Sequence, residues 1–462
     1  MIASRFLAEK GLSTLNRGLF DPSKYGTFRF TERSISPAGA VRLGYALDDE
    51  YEFVEEFDVP VAAGTDLAAA EPILDLLHWV AGVSYYKTAA PKAVSCETGA
   101  VPGPATAAFL EALYSEGLGE FAVVNQLGAL PRPRFPRSGA AAQGRERHAP
   151  TRVLVPIGGG KDSIVALEIV RRSGLDFTLF SVRDDPAMQR TAAVAGVERL
   201  VAQRRLPLKL LGELNRSGAL NGHVPITAIV SCVALLTAAL NGYDTVTLAN
   251  ERSASAGNVV YDGVEVNHQF SKSARAEALL RGAIAETGAP VDLFSLLRPA
   301  SELGIARTFA GLPQYHAAFT SCNAIFRLDP ELRLSSWCGN CPKCRFVFLV
   351  LAPFMEPDAL RDIFGVAMLD DLDQYEGFAL LTATGGHKPF ECVGEEEECL
   401  AAISLLAADP RWRGRPVVAR LVREVLASRG DDPARVGSAL ALSASHNVPA
   451  ELIDHVDALL RA

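Results

Sequence analysis

The stretch "VLVPIGGGKDSIVALEIV", Val153 to Val170, decides how the chain folds. A β-branched apolar run ends at Ile157, three glycines follow, and Lys161-Asp162-Ser163 open a segment with helical spacing. A strand, a glycine turn and a helix start in that order make a phosphate cradle. Backbone N–H groups at the helix N-terminus, with the helix dipole behind them, attract anions, and glycines let the anion come close. Two familiar cradles do not fit. A Walker A loop needs Gly, four residues, then Gly-Lys-Ser/Thr, but position 155 is Val and position 162 is Asp. A dinucleotide G-x-G-x-x-G fails because position 163 is Ser.

Downstream the strand–helix alternation continues. "RVLVPI" reads as a strand, "SIVALEIVRRSG" as a helix with a glycine stop, "FTLFSV" as a strand and "RTAAVAGVERLVAQ" as a helix. "LPLKLL" reads as a strand, "ITAIVSCVALLTAALNG" as a buried helix and "TVTLAN" as a strand. This pattern predicts an α/β fold with a doubly wound parallel sheet, and ligands on such sheets bind beyond the carboxyl ends of the strands. The glycine loop, "SVRDD" with Arg183, and "LANERSAS" all fall at such ends.

Upstream, residues 26–62, "GTFRFTERSISPAGAVRLGYALDDEYEFVEEFDVPVA", alternate as an antiparallel meander, and from Asp66 to Leu127 the spacing is helical. "PRPRFPRSGAAAQGRERHAPTR" carries six arginines and one glutamate among Pro, Gly and Ala and reads as a mobile surface linker. From Phe346 onward the chain is mainly helical, with a turn-rich insertion "TATGGHKPFECVGEEEE". The expected division is an N-terminal α+β domain over 1–130, a linker over 131–151, a nucleotide domain over 152–350 and a helical region over 351–462. No internal repeat is present.

Composition narrows the class. The 462 residues are 49% hydrophobic and 21% charged with a net charge of −9, an ordinary globular balance without support for a broad nucleic-acid face. The start, "MIASRFLAEKGLSTLNRGLF", lacks a signal-peptide core, and the longest apolar runs fall short of the ~20 residues of a membrane span. A cytoplasmic protein with no membrane partner is expected. Oligomeric state is left open.

Of eight cysteines, Cys322, Cys338, Cys341 and Cys344 lie in "TSCNAIFRLDPELRLSSWCGNCPKCRF". Cys-x2-Cys-x2-Cys with one more upstream is the spacing of a closed structural zinc site. A catalytic thiolate and a set of reduced, unliganded thiols are the other readings. Cys232 sits in an apolar helix and reads as core.

Three polar clusters read as ligand-facing. "LANERSASAGNVVYDGVEVNHQFSKSARAE" holds Asn250, Glu251, Arg252, Ser253, Asn258, Asn267, His268, Gln269, Ser271 and Lys272, too polar for a core and placed after a strand expected to be central. "GVSYYKTAAPK" contributes Tyr85, Tyr86 and Lys87, and "GGHKPFECVGEE" contributes His387, Lys388, Glu391 and Cys392. His223 and His316 read as ordinary packed or exposed histidines.

The segment Gly158-Gly159-Gly160-Lys161-Asp162-Ser163 resembles the PP-loop of ATP pyrophosphatases, Ser-Gly-Gly-x-Asp-Ser, with Gly158 in place of the first serine. That resemblance implies cleavage of ATP between its α- and β-phosphates. The loop amides and Ser163 would hold the diphosphate, Lys161 would offset its charge, and Asp162 would place Mg²⁺. Arg183 falls on the nucleotide side.

Seven phrases carry a closer resemblance: "FRFTERSIS…VRLGYALDDEYEFVEEF", "GVSYYK", "PIGGGKDSIVALE", "NERSAS", "VNHQFSKS", "WCGNCPKCRFVFLVLAPF" and "PFECVG". They are similar to the UDP-N-acetyl-α-D-muramoyl-L-alanyl-L-glutamate epimerases, a family of bacterial cell-wall synthesis. The resemblance implies ATP and Mg²⁺ as cofactors and a nucleotide-sugar dipeptide as substrate. Asn250, Glu251, Arg252, Asn267, Ser271, Tyr86 and Lys87 are then expected to bind substrate. His268 and Lys272 are expected to move the α-proton, with Cys392 and Tyr86 behind them. The competing enzyme classes are a 7-cyano-7-deazaguanine-synthase-like or amide-forming PP-loop ligase and a tRNA-modifying relative. A nucleotide-binding regulator that never cleaves ATP is the non-enzyme reading. Lys161, Asp162 and Ser163 argue against it, because binding alone needs fewer charged groups.

Overall fold

Alternating apolar residues in "TFRFTERSI" form strand β1 (Thr27–Ile35), which turns into β2 (Ala40–Leu47) and β3 (Tyr51–Asp58) as the expected antiparallel meander. Its registered pairs Phe30–Tyr45 and Tyr45–Phe53 put aromatic rings on one buried face. A computed structural model describes residues 20–138, 149–257, 259–327, 330–386, 388–391, 393–430 and 432–461. The linker residues 139–148, and Asn258, His387 and Cys392, therefore lie outside the described residues.

Helix α1 (Glu71–Ala81), one-turn α2 (Val83–Tyr86), α3 (Pro104–Ser115) and α4 (Gly119–Val124) pack against that face. The helical spacing read over 66–127 is broken once, by β4 (Ala93–Cys96), which runs parallel to β1 at the sheet edge.

The strand–helix series then follows: β5 (Arg152–Pro156), α5 (Lys161–Ser173), β6 (Asp176–Val182), α6 (Pro186–Ala195), β7 (Arg199–Arg205), α7 (Leu208–Ser217), α8 (Ile226–Asn241) and β8 (Thr245–Leu248). After a small hairpin of β9 (Val259–Tyr261) and β10 (Val264–Val266) come α9 (Ala274–Thr287), β11 (Asp292–Ser295) and α10 (Glu302–Ala310). The C-terminal part includes α11 (Pro342–Leu351), α12 (Glu396–Ala408) and α13 (Ala450–Arg461).

The fold is α/β on one mixed nine-stranded sheet in the order β11-β8-β5-β6-β7-β3-β2-β1-β4. The five strands from β11 to β7 are parallel. β7 then pairs antiparallel with β3, so the meander extends the same sheet. Along β5, Val153 and Val155 face a core shared with α5, α10, α11 and α12, while Leu154 faces the other core with α8, α9 and the N-terminal helices. Helices thus cover both faces, as the apolar strands require.

Two assignments differ from the sequence reading. The helix read through "RTAAVAGVERLVAQ" stops at Gly196, whose φ of 62° closes α6, and the rest is β7. That strand carries Arg204 and Arg205, whose charges meet Glu55, Glu56 and Asp58 of β3, so its charge hides an extended conformation. "LPLKLL" is no strand. Leu210, Leu211 and Leu214 reach the core at helical spacing from α7. Among the described residues no helix is long and apolar enough to cross a membrane.

Candidate active site

In the sheet order, β5 stands between β6 and β8, and the chain winds outward from it in both directions. Its carboxyl end is therefore the topological switch point, where open α/β sheets bind ligands. The glycine loop sits there. Gly159 has φ +81°, a conformation L side chains rarely adopt, and a Cβ on it would lie 2.6 Å from the Ala187 Cβ. A Cβ on Gly160 would come 3.2 Å from the Ser321 Cβ, and the Thr320 N–H donates to the Gly159 carbonyl at 2.9 Å. The loop is thus clamped between α6 and the segment leading into Cys322. Gly160 caps α5, and the Ser163 hydroxyl donates to its carbonyl at 3.0 Å.

Lys161 is buried, and its ammonium is held by the Asp162 and Glu302 carboxylates. Burial alone would depress it, but the two acids outweigh burial and hold it well above its ordinary value. Asp162 is pushed up by burial and pulled further down by Lys161, Lys343 and Lys272, so it stays ionised below the usual carboxylate range. Glu302 moves upward, through burial first and then the nearby Asp162 charge. The network continues inward. The Glu302 N–H donates to the Glu398 carboxylate at 2.8 Å, and the Ser253 hydroxyl donates to the same oxygen. Burial, opposed by Ser253 and reinforced by Glu302, pushes Glu398 up to about 7.

Beyond β8 the "NERSAS" turn is fixed from below. The Asn250 amide donates to the Ser295 hydroxyl at 3.1 Å. Buried Arg298 donates to the Glu251 carbonyl at 2.6 Å and the Lys272 carbonyl at 2.6 Å, and pairs with buried Glu277 at 3.0 Å. One guanidinium therefore ties the Glu251 turn to the "NHQFSK" turn, and its planar fork suits that task. Glu251 is buried with one carboxylate oxygen unpartnered. Asn267 donates to the Ala254 carbonyl at 2.8 Å, and Lys272 reaches Gln269 at 3.3 Å.

His268 meets elements from the N-terminal segment. Its Nδ1 contacts the Glu120 carboxylate on α4, and His223 Nδ1 lies 3.5 Å from the same oxygen. The two imidazole centroids are 4.5 Å apart. Burial, with His268 and Lys87 adding to it, lowers His223 to about 4, so that ring is neutral near pH 7. Lys87 is buried, donates to the Asn221 side chain at 2.5 Å, and is lowered to about 8 by burial. Glu391, which accepts from Asn323, is raised by burial and feels His268 and Lys343 across the site.

The four cysteines converge. Sγ–Sγ separations are 3.9 Å for Cys322–Cys341, 3.6 Å for Cys338–Cys344 and 3.5 Å for Cys341–Cys344. Tetrahedral zinc with Zn–S bonds of ~2.3 Å needs sulfurs ~3.8 Å apart, so this donor set fits a structural zinc ion. Cys341 also caps α11, and Lys343 between the ligands is buried and lies over the Phe346 ring at 5.5 Å.

Sequence profiles described as the MurL N-terminal domain and the MurL C-terminal domain match residues 19–296 and 318–435. The chain belongs to the MurL family. Three curated relatives share the name UDP-N-acetyl-alpha-D-muramoyl-L-alanyl-L-glutamate epimerase. The one from a Micromonospora strain is 46% identical over 86% of this chain and 90% of its own length. Those from Salinispora tropica and Xanthomonas oryzae pv. oryzae are 45% and 40% identical, covering 84% and 95% of this chain and 86% and 98% of their own. No solved structure matches the chain.

In this MurL-family chain, the residues expected at the site divide into two groups. Gly158, Gly159, Gly160, Lys161, Asp162 and Ser163 gather at the end of β5, with Glu251 of the "NERSAS" turn within electrostatic reach of Glu302 and Lys272 of Asp162. Lys87 and His268 gather around His223. Arg183, at φ 82°, directly follows β6 and pairs with buried Asp185 at 3.0 Å, leaving one Asp185 oxygen unpartnered. Arg252 turns away and donates to the Ala441 carbonyl at 3.0 Å. Tyr86 is enclosed in the aromatic core, 5.0 Å from Tyr114 by ring centroids. Ser271 lies half-buried in the turn beside Lys272. Sequence reading missed Glu302, Glu398, Arg298, Lys343 and Glu120. Glu302 had a signal, the Ser301–Glu302 helix start just after an apolar strand. Glu120 had none, because nothing local marks which surface an acidic helix residue will meet.

Proposed function

We propose that this chain epimerises the terminal L-glutamate of UDP-N-acetylmuramoyl-L-alanyl-L-glutamate to D-glutamate for peptidoglycan precursor synthesis. ATP is consumed through an acyl-adenylate, releasing AMP and diphosphate. The observation that carries this reading is the Gly158–Ser163 cradle at the switch point beside β5, in a chain whose relatives bear the epimerase name.

The chemistry follows from charge. Removing an α-proton next to a free carboxylate makes a dianion. Attack of a carboxylate oxygen on the α-phosphorus of ATP breaks the bond to the β-phosphate and expels diphosphate. The resulting mixed anhydride carries no charge on its acyl carbon, so the α-proton becomes acidic. One side chain removes that proton and another returns it on the opposite face. Water then attacks the acyl carbon, and AMP leaves.

The loop amides and the α5 N-terminus bind and orient the leaving diphosphate. Lys161 keeps Asp162 ionised and fixed, and Asp162 would hold Mg²⁺, which neutralises phosphate charge when bound. Lys272 and Lys343 add positive charge around the same carboxylate. His268 and Lys272, presented by one turn that Arg298 holds, are the proposed proton carriers. The cysteine quartet would hold zinc as a strut, fixing Thr320 and Ser321 against the glycine loop.

Incubation with ATP, Mg²⁺ and the L-glutamyl substrate in D₂O tests the reading. Deuterium at the glutamyl α-carbon with AMP formation is expected. AMP without deuterium contradicts it, as does dependence of AMP release on ammonia.

A further inference from the structure

We propose that Glu120, supplied by the N-terminal segment, positions His268 for proton transfer, so that this segment serves the epimerisation step and not ATP cleavage. The inference rests on the epimerase reading above and extends it to a residue outside the nucleotide cradle.

Glu120 is brought to His268 by close packing of backbones. A Cβ on Gly119 would lie 2.8 Å from a Val266 side-chain methyl, so only glycine lets α4 approach β10 at this distance. Val266 lies two residues before His268, and the contact fixes the entry to the "NHQFSK" turn. The loop carrying His223 is pinned from the same segment, because the Asn125 amide donates to the Asn221 carbonyl at 2.9 Å and Lys87 holds the Asn221 side chain. Lys87, Glu120 and Asn125 thus build one wall around the two histidines.

A carboxylate at imidazole Nδ1 holds the ring's tautomer and orientation and stabilises the imidazolium formed when Nε2 takes a proton. That is what a base needs when it must remove a carbon-bound proton and later give it up. The contact of Glu120 with His268 is hydrogen-bond close, whereas His223 stands back at 3.5 Å with its ring against His268. This asymmetry favours a dyad with a bracing imidazole over three equivalent metal ligands. Charged and titratable groups bearing on His268 include Glu120, His223 and, across the site, Glu391, while Lys87 stands behind His223 and Lys272 follows four residues on in the same turn.

The test compares Glu120→Gln with wild type in D₂O, reading AMP release and α-deuteration separately. Glu116→Gln, which breaks an exposed ion pair to Arg275, is the control for the neighbouring surface. E120Q is expected to release AMP near the wild-type rate while deuteration falls about 100-fold. Its acidic pH limb for exchange should move down, because the imidazolium loses its neighbouring anion. Glu120→Asp should restore part of the exchange, and Gly119→Ala should copy E120Q without removing a charge. Equal loss of AMP release and exchange, or an unmoved pH limb, overturns the proposal. So does a stoichiometric divalent metal beyond the cysteine site that is lost in both E120Q and His223→Ala. Wild type that exchanges no deuterium sinks the epimerase reading and this inference together. Normal exchange in E120Q sinks only the Glu120 assignment.

Discussion

Replacing Gly159 by alanine tests whether the glycine loop works as a nucleotide cradle. The backbone there has φ +81°, and a Cβ would stand 2.6 Å from the Ala187 Cβ and 2.9 Å from its carbonyl carbon. The left-handed conformation costs an alanine about 1–2 kcal/mol, and overpacking adds about 1–3 kcal/mol. Ala187 belongs to α6 and cannot swing aside like a flexible side chain. The loop therefore leaves its cradle conformation, and ATP affinity should drop between about 30-fold and several thousandfold. Gly174→Ala supplies the control. Its φ is +74° with nothing within 4 Å of the added Cβ, so it carries the conformational cost alone, at the far end of α5. Calorimetric titration with Mg²⁺·ATP, alongside thermal unfolding, reads both effects. G159A should lose ATP binding, whereas G174A should lose only stability. Wild-type affinity in G159A would refute the reasoning, as would equal loss of affinity in both variants.

Other outcomes follow from buried charge and from the cysteines. Glu55→Ala removes the buried partner of Arg204, whose side chain is only 10% exposed between β3 and β7, and should cost about 3–5 kcal/mol in unfolding, with part regained in Glu55→Ala/Arg204→Leu; no change would mean that this pair does not secure the joined sheet. Because Glu398 is raised to about 7 in the fold, the folded state binds the extra proton, and stability should fall as pH rises from about 4.5 to 7, by on the order of 3 kcal/mol. Glu398→Gln should flatten that slope in pH-dependent denaturation, and an unchanged slope would contradict the assignment. Cys341→Ser should lose a bound zinc equivalent by elemental analysis and lower the thermal midpoint, whereas full zinc retention would remove Cys341 from the site.

Local pattern carried the parts of this fold in which one segment announces its own environment. Val153–Ile157 alternates toward two cores, the three glycines break it, and α5 stops at Gly174, so the strand, loop and helix were all legible. The cysteine spacing was legible for the same reason, since three of the four thiols lie within seven residues of chain. β7 was not, because its arginines are satisfied by acids of a strand roughly 150 residues earlier. The joining of the meander to the parallel strands is invisible until Glu55 and Arg204 are seen together. At the site, the conspicuous polar runs mark turns that lie near the glycine loop, but not the acids that pack with them. Arg252 in those runs donates to the Ala441 carbonyl and Tyr86 packs among aromatic rings, whereas Glu302, Glu398 and Glu120 arrive from helices α10, α12 and α4. Glu302 meets Lys161, Glu120 meets His268, and Glu398 accepts from Ser253 and the Glu302 N–H, contacts that no single stretch of sequence displays.

The most direct measurement follows oxygen. With both oxygens of the substrate's glutamyl α-carboxylate labelled with ¹⁸O, the enzyme and ATP should produce AMP carrying one labelled oxygen, because the carboxylate oxygen that attacked phosphorus leaves with it. AMP free of label while the glutamyl centre inverts, or inversion without ATP, would contradict the account.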